Sequence, residues 1–283
     1  IYPHLRSDRL IAQGSAGDLD HLAEAAILVS RYPYSAAPET LLVEPIPGGA
    51  PAAHGASAAR GARQASLEFQ RDLLHSVLAG QRPDKGLALL SACGFVERYW
   101  PELQRMSAIP HHKDYHPEGD GWQHTLETFK HRKGQDPVLS LALLLHDVGK
   151  PAASSTSERA FDGHAELGAQ IATHFLRRLG FSEAQTRDVT FLVRYHMMPA
   201  ALKQLPLYRS ERIMDSSLFP LLLELYRADM SASYWSPNGY YEACQVYRNY
   251  QKHKANPFRR NDGTKRSQRA RSPQGAWPPR PFN

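Results

Sequence analysis

Apolar residues recur at helical spacing along most of the chain, and strand-like alternation is scarce. Leu19 to Val29 carries that spacing, with Asp18 placed to cap its N-terminus. Leu67, Leu73, Leu74, Val77 and Leu78 define a second helix, ended by Gly80 and Pro83. Lys85 to Cys93 forms a third, with Gly94 just past its end, where a left-handed residue closes many helices. The same pattern predicts helices over Trp122 to Lys130, Val138 to Leu145, His164 to Leu179, Glu183 to His196 and Ser217 to Ala232. No internal repeat is visible. The expectation is an all-α domain over residues 66–250.

The flanks read differently. Residues 1–65 are expected to form an N-terminal extension, in which 45–63 is a Pro-, Gly- and Ala-rich linker unable to bury much surface. From residue 251 to 283, Gly, Pro, Ser, Lys and Arg dominate, and a basic tail is expected that orders only when bound.

Composition sets outer limits. With 42% hydrophobic and 22% charged residues, the chain can build a sizeable core. No uninterrupted apolar span is long enough to cross a bilayer, so no membrane partner is expected. The start, Ile1-Tyr2-Pro3-His4, has neither an initiator Met nor a signal sequence and reads as a fragment. Cys93 and Cys244 are far apart and form no CxxC pair, which suits reduced thiols and a cytoplasmic location. The formal charge of +6 is concentrated near the C-terminus, with Arg259, Arg260, Lys265, Arg266, Arg269 and Arg271 as candidate nucleic-acid contacts. Tyr247, Tyr250, Phe258 and Trp277 interleave with basic residues there, as base-stacking side chains would. A tail that only solubilises the chain is the alternative.

The candidate chemistry lies in the core. In Leu141-Ala142-Leu143-Leu144-Leu145-His146-Asp147-Val148-Gly149-Lys150-Pro151, an apolar helix delivers two polar groups that are costly to bury unpartnered. A divalent cation would satisfy both, as would a hydrogen-bonded pair at a capped helix end. The surroundings favour the cation. His124 lies within an apolar helix, His164 opens a later one, His196 closes the next, and Asp229 sits in Leu225-Tyr226-Arg227-Ala228-Asp229-Met230. All suit one nitrogen- and oxygen-donor site.

The order His124, His146-Asp147, Asp229 resembles the HD phosphohydrolase superfamily, whose core is a helical bundle. Residues 69–103, the run His116-Pro117-Glu118-Gly119-Asp120-Gly121-Trp122-Gln123-His124-Thr125-Leu126, and Phe161-Asp162-Gly163-His164-Ala165-Glu166 are similar to the HD region of bacterial CCA-adding tRNA nucleotidyltransferases. The resemblance extends from residue 66 to 235. It implies an HD-domain bundle binding one or two divalent metals through His124, His146, Asp147 and Asp229. His164 and His196 would serve a second metal, and Asp147 would bridge. It also implies phosphoester hydrolysis by an activated water, with Asp147 and Lys150 as catalytic residues. Lys150 would contact a phosphoryl oxygen or favour a helix C-terminus, and His116 would touch substrate phosphate. Glu118, Asp120 and Glu166 are candidates to orient imidazoles, or are surface acids. Manganese, iron, cobalt, nickel, zinc and magnesium all suit such a donor set.

The implied substrate is a nucleotide or RNA phosphoester, including a 2′,3′-cyclic or terminal phosphate. Two alternatives stand beside that reading. One is a fragment or relative of a tRNA nucleotidyltransferase with a mainly structural HD region. The other is a non-catalytic RNA- or ribosome-binding protein that keeps a metal. The polymerase head of that family needs a glycine-rich loop and, after a helix, paired carboxylates on a strand. Gly14-Ser15-Ala16-Gly17-Asp18-Leu19-Asp20 places the carboxylates too close to the Gly-Ser, and Asp18 suits a helix cap instead. Nucleotide addition by this chain alone is not expected.

Overall fold

The computed structural model describes residues 9–10, 18–36, 64–108, 120–154, 161–233 and 238–255. The linker expected at 45–63, His116, Glu118 and the six basic tail residues from Arg259 to Arg271 lie outside them.

In chain order the helices are α1 (Leu19–Arg31), α2 (Leu67–Leu78), α3 (Pro83–Ala92), α4 (Phe95–Tyr99), α5 (Pro101–Gln104), α6 (Gly121–Lys130) and α7 (Pro137–Leu145). Then come α8 (Lys150–Ser154), α9 (His164–Arg178), α10 (Glu183–Tyr195), α11 (Met198–Ala201), α12 (Leu207–Met214), α13 (Phe219–Ala232) and α14 (Asn238–Ala255). A short parallel pairing of β1 (Arg9–Leu10) with β2 (Ser35–Ala36) is the only sheet among the described residues. The fold is the all-α bundle that the apolar spacing predicts, and it is consistent with the helical core that the resemblance implies.

The centre of the bundle is α7. Every residue from Leu139 to Leu145 is buried, so the helix has no solvent face, as a fully surrounded helix requires. Pro137 opens it, and the Asp136 side chain caps it by accepting from the Leu139 amide. Around it pack α2, α6, α10 and α13. These neighbours are amphipathic: α6 turns Trp122, Leu126 and Phe129 inward, and α10 turns Val189, Leu192 and Val193 inward. A central helix enclosed in this way delivers whatever follows Leu145 into the interior.

At the N-terminal side, Asp18 caps α1 as expected, accepting from the Asp20 and His21 amides. Its buried face, with Leu22, Ala26 and Val29, packs against α2 and α3, so this part of the expected extension shares the core. Arg132 ties three elements together. It donates to the Leu78 carbonyl at 2.7 Å, to the Ser140 hydroxyl at 2.6 Å, and to the Gly80 carbonyl.

Two boundaries differ from expectation. Pro83 does not end a helix but opens α3 at its first turn, where a missing amide costs nothing. At the other end α14 continues to Ala255, past the expected start of the tail at 251. Lys252, His253 and Lys254 lie in its last turn, where cations complement the helix dipole, and Lys254 pairs with Asp215.

Candidate metal centre

The end of α7 is where the polar groups converge. His146 is the residue that follows the helix, and Asp147 begins the turn to α8. Both are buried, as are His124 from the middle of α6, His164 at the start of α9 and His196 at the end of α10. Asp229 from α13 completes the set, with 22% of its side chain exposed. Two groups of possible ligand atoms result, each within 4.8 Å of one another: His124, His146 and Asp229; and Asp147, His164 and His196.

Asp147 stands between them. Its Oδ2 lies 3.3 Å from His146 Nε2 and 3.9 Å from His124 Nε2. Its Oδ1 lies 3.7 Å from His164 Nε2 and 3.8 Å from His196 Nε2. One carboxylate therefore offers one oxygen to each half of the site. In the first half, His124 Nε2 is 2.9 Å and His146 Nε2 3.7 Å from Asp229 Oδ1.

Three imidazoles are oriented by the main chain. His146 Nδ1 lies 2.8 Å from the Leu143 carbonyl, His164 Nδ1 2.8 Å from that of Phe161, and His196 Nδ1 2.7 Å from that of Val193. A carbonyl only accepts, so each Nδ1 carries the proton, and in the neutral ring Nε2 presents a lone pair. The two carbonyls near the ends of α7 and α10 are ones a helix leaves without an amide partner. Phe161 has φ 68°, a left-handed conformation uncommon for a bulky residue, and Gly163 at φ 77° precedes His164. The turn before α9 thus holds strained backbone at the point where its carbonyl fixes a ring.

The donor set is unsatisfied by protein alone. His164 Nε2 and His196 Nε2 are 3.1 Å apart, both as lone-pair atoms, and only a proton or a cation between them makes that contact favourable. His146 Nε2 is buried without a hydrogen-bond partner among the described residues, while the nearest acceptor, Asp147 Oδ2 at 3.3 Å, is engaged by Lys150. Such an orphan is costly in an interior and suits a lone pair that awaits a ligand. Neutral imidazole nitrogens beside carboxylate oxygens fit a divalent cation.

Electrostatics point the same way. Burial works against ionisation of Asp147, but His146 and Lys150 outweigh it and hold the carboxyl well below its usual range. Asp229 is likewise held low, its burial overcome by the hydrogen bond to His124 and by His146. For His146, burial is overcome by the neighbouring Asp147, and its pKa lies above 6.5. His196 is pushed down to about 4 by burial, with repulsion from His146 adding to it. At neutral pH, then, both carboxylates are ionised and His196 is a neutral donor.

Lys150 begins α8, just past the end of α7; its Nζ lies 2.6 Å from Asp147 Oδ2 and 5.5 Å from the Phe161 ring centroid. Asp120 caps α6 by accepting from the Gln123 amide at 2.8 Å rather than orienting an imidazole. Glu166 is exposed and lines the cleft over the site.

That cleft has a volume of about 730 Å³, and Asp147, Lys150, His164 and Asp229 form its polar floor. Its walls include Tyr195, Met197, Met198, Tyr226 and Met230, which the apolar spacing alone marks as ordinary core or surface residues. Arg194 also reaches its rim. The signal that could have found Arg194 is its position two residues before His196.

A helical bundle with histidines and aspartates at its centre offers groups that could hold a divalent metal. Residues 121–223 match the family described as HD domain, a span that holds every candidate ligand except Asp229, just beyond it. Among curated proteins, the A-adding tRNA nucleotidyltransferase of Deinococcus radiodurans is 34% identical over 176 residues, covering 59% of this chain and 39% of that relative. A Multifunctional CCA protein of Alkalilimnicola ehrlichii is 33% identical over 159 residues, covering 54% of this chain and 36% of the relative. Another, of Nitrosococcus oceani, is 28% identical over 191 residues, covering 66% and 45%. Residues 121–223 are thus similar to an HD domain, and the similarity to these relatives fits the HD region of CCA enzymes. The chain spans less than half the length of these relatives. No helix among the described residues is long and apolar enough to cross a membrane.

Proposed function

We propose that the chain is a metal-dependent phosphohydrolase acting on a nucleotide or RNA phosphoester, such as a 2′,3′-cyclic or terminal phosphate. The observation that carries this reading is the division of Asp147, one oxygen toward His124 and His146 and the other toward His164 and His196, on the floor of an open cleft. His124, His146 and Asp229 would hold one divalent cation, His164 and His196 a second, with Asp147 shared. Such ions supply Lewis-acid polarisation of a phosphoryl oxygen and lower the pKa of a water.

The protein's own part is binding and charge. The main-chain carbonyls hold the rings so that no reorganisation is needed when substrate arrives. Lys150, fixed by Asp147 and lying over Phe161, would neutralise a phosphoryl oxygen as a point charge. Tyr195, Tyr226 and the methionines would flank the rest of the substrate and keep bulk water from it.

The name of one relative, A-adding tRNA nucleotidyltransferase, supports RNA as the substrate class. The test is to purify the chain, count its metals and assay 2′,3′-cyclic nucleotides, nucleoside phosphates and phosphorylated RNA ends beside Asp147→Ala. Hydrolysis by the wild type that the variant lacks is expected. A wild type inactive on all three with every metal supplied would refute the enzymatic reading.

A further inference from the structure

A second groove, of about 370 Å³, runs between α9 and α10 on the outer side of the bundle. Arg194 and Tyr195 line both this groove and the cleft over the candidate metal centre, so the two adjoin at the end of α10. The exposed edge of α10 has a distinctive order. Arg187, Phe191, Arg194 and Tyr195 fall at i, i+4, i+7 and i+8, which is one face of a helix, and all four line the groove.

The charges there are available. Arg194 is exposed and forms no ion pair among the described residues. Arg187 has 75% of its side chain exposed, and its one ion pair among the described residues, with the neighbouring Asp188 at 3.4 Å, is a single long contact that leaves most of the guanidinium to solvent. Across the groove Arg177 is held by Glu183 at 2.8 Å, so it frames the wall with little net charge. Arg187 and Arg194 are two helical turns apart, on the order of 10 Å along the axis. Between them, Phe191 and Tyr195 are half-buried and meet edge to face with ring centroids 5.0 Å apart. The Thr173 and Thr190 hydroxyls, 2.9 Å apart, add polar atoms to the floor.

Guanidinium groups alternating with aromatic faces are the chemistry of a track for single-stranded polynucleotide. The cations follow phosphates, and the rings accept any base by stacking. We propose that the α9–α10 groove binds the single-stranded RNA that leads into the metal cleft, so that a chain end, rather than a free mononucleotide, is the preferred ligand. This rests on the phosphohydrolase reading for what happens in the cleft, but binding along α10 can be measured without turnover.

The experiment uses the whole chain and fluorescence anisotropy with a labelled twelve-nucleotide RNA ending in a 3′-phosphate, over a salt series, with a mononucleotide 3′-phosphate as competitor. Arg187→Ala/Arg194→Ala should reduce the log–log salt slope by about 1.4 and weaken binding roughly 25-fold at about 0.1 M salt. Phe191→Leu, which keeps the packing but removes the ring, should weaken it about fivefold or more. Arg31→Ala/Lys85→Ala, on α1 and α3, removes the same charge away from the groove and should change affinity less than threefold.

Equal losses in both double variants would overturn the track and leave general charge attraction. So would a mononucleotide that competes as tightly as the oligomer. Hydrolysis of small substrates alongside unaltered RNA affinity in the α10 variants would refute the groove and leave the metal centre standing. RNA binding that depends on Arg187 and Arg194 in a chain that hydrolyses nothing would do the reverse.

Discussion

Gly149 has no room for a Cβ, and replacing it tests how the candidate metal centre is assembled. A Cβ at that position would sit 2.1 Å from the His164 carbonyl oxygen and 2.4 Å from the Gly168 amide nitrogen. These are the carbonyl and amide that an α-helix pairs in its first turn, so the clash falls on the main chain of α9 and not on a side chain that can rotate away. Ordinary contact begins at 3.4 Å, leaving a deficit of more than 1 Å. Overpacking of a close-packed core costs about 1–3 kcal/mol, and a backbone obstacle places Gly149→Ala at the upper end. Any relief moves the start of α9, and His164 moves with it. Urea denaturation of chelated protein should show a loss of about 3 kcal/mol with an unchanged m-value. Elemental analysis of the reloaded variant should show the His164–His196 half depleted. Gly168→Ala is the control. Its Cβ would meet Gly149 N at 3.3 Å and Val193 Cγ1 at 3.4 Å, which a shift of a few tenths relieves. Alanine in a helix also gains about 1 kcal/mol over glycine, so that variant should lie within about 1 kcal/mol of wild type. A Gly149→Ala protein with wild-type stability and a full metal complement would refute the reasoning.

Four further outcomes are expected. Asp147→Ala should bind neither metal tightly, whereas His164→Ala should lose one and keep the His124–His146–Asp229 half; equal occupancy in the two variants, by elemental analysis, would contradict a shared carboxylate. In chelated protein, His196 has a folded pKa of about 4, below the ordinary 6.5, so the unfolded chain binds more protons between those values. Its contribution is present above pH 6.5 and lost as pH falls through about 4, while the raised pKa of His146 acts in the opposite sense. His196→Gln should therefore flatten the acid limb of a stability–pH profile measured with EDTA, and an unchanged limb would exclude that assignment. Arg132→Ala leaves the Leu78 and Gly80 carbonyls and the Ser140 hydroxyl without their shared donor, and should cost about 2–4 kcal/mol in denaturant titration. Deleting residues 256–283 should lower the salt slope of RNA binding by removing Arg259, Arg260, Lys265, Arg266, Arg269 and Arg271; an unchanged slope would show that the tail makes no contact.

What the apolar pattern revealed, and what it hid, follows from burial. Helices α6, α7, α9 and α10 each bury several large side chains, and their spacing stands out in the sequence. The candidate ligands stood out for the complementary reason, as polar residues set in apolar helices or at their ends. Helix α14 escaped notice because only Ala243 of its 18 residues is buried. Helix α12 buries only Ser210 and Met214, which leaves no apolar stripe to read. The short α4 and α5 offer too few turns for a period to appear. Spacing also could not reveal that Asp147 divides its oxygens between two pairs of rings, because that depends on how α6, α9 and α10 pack around the end of α7. Nor could it connect Arg187 with the metal cleft, since α10 reaches the site only at its last turn.

The geometry of this candidate centre carries a cost that packing for stability alone does not explain. A bundle built for stability would fill the end of α7 with aliphatic side chains, since replacing buried ionic groups with well-packed apolar ones is often neutral or stabilising. Here the chain instead holds five buried ionisable residues around one carboxylate-bearing turn, and leaves the Nε2 atom of His146 unpartnered among the described residues. It adds a left-handed Phe161 and a glycine contact that admits no methyl group, both at the start of the helix bearing His164. Departures from local rules that gather at one place, while the rest of the bundle obeys them, are the signature of a site shaped by its ligand. A capped helix end with a hydrogen-bonded His–Asp pair would need neither the opposed lone pairs of His164 and His196 nor a strained turn to aim them.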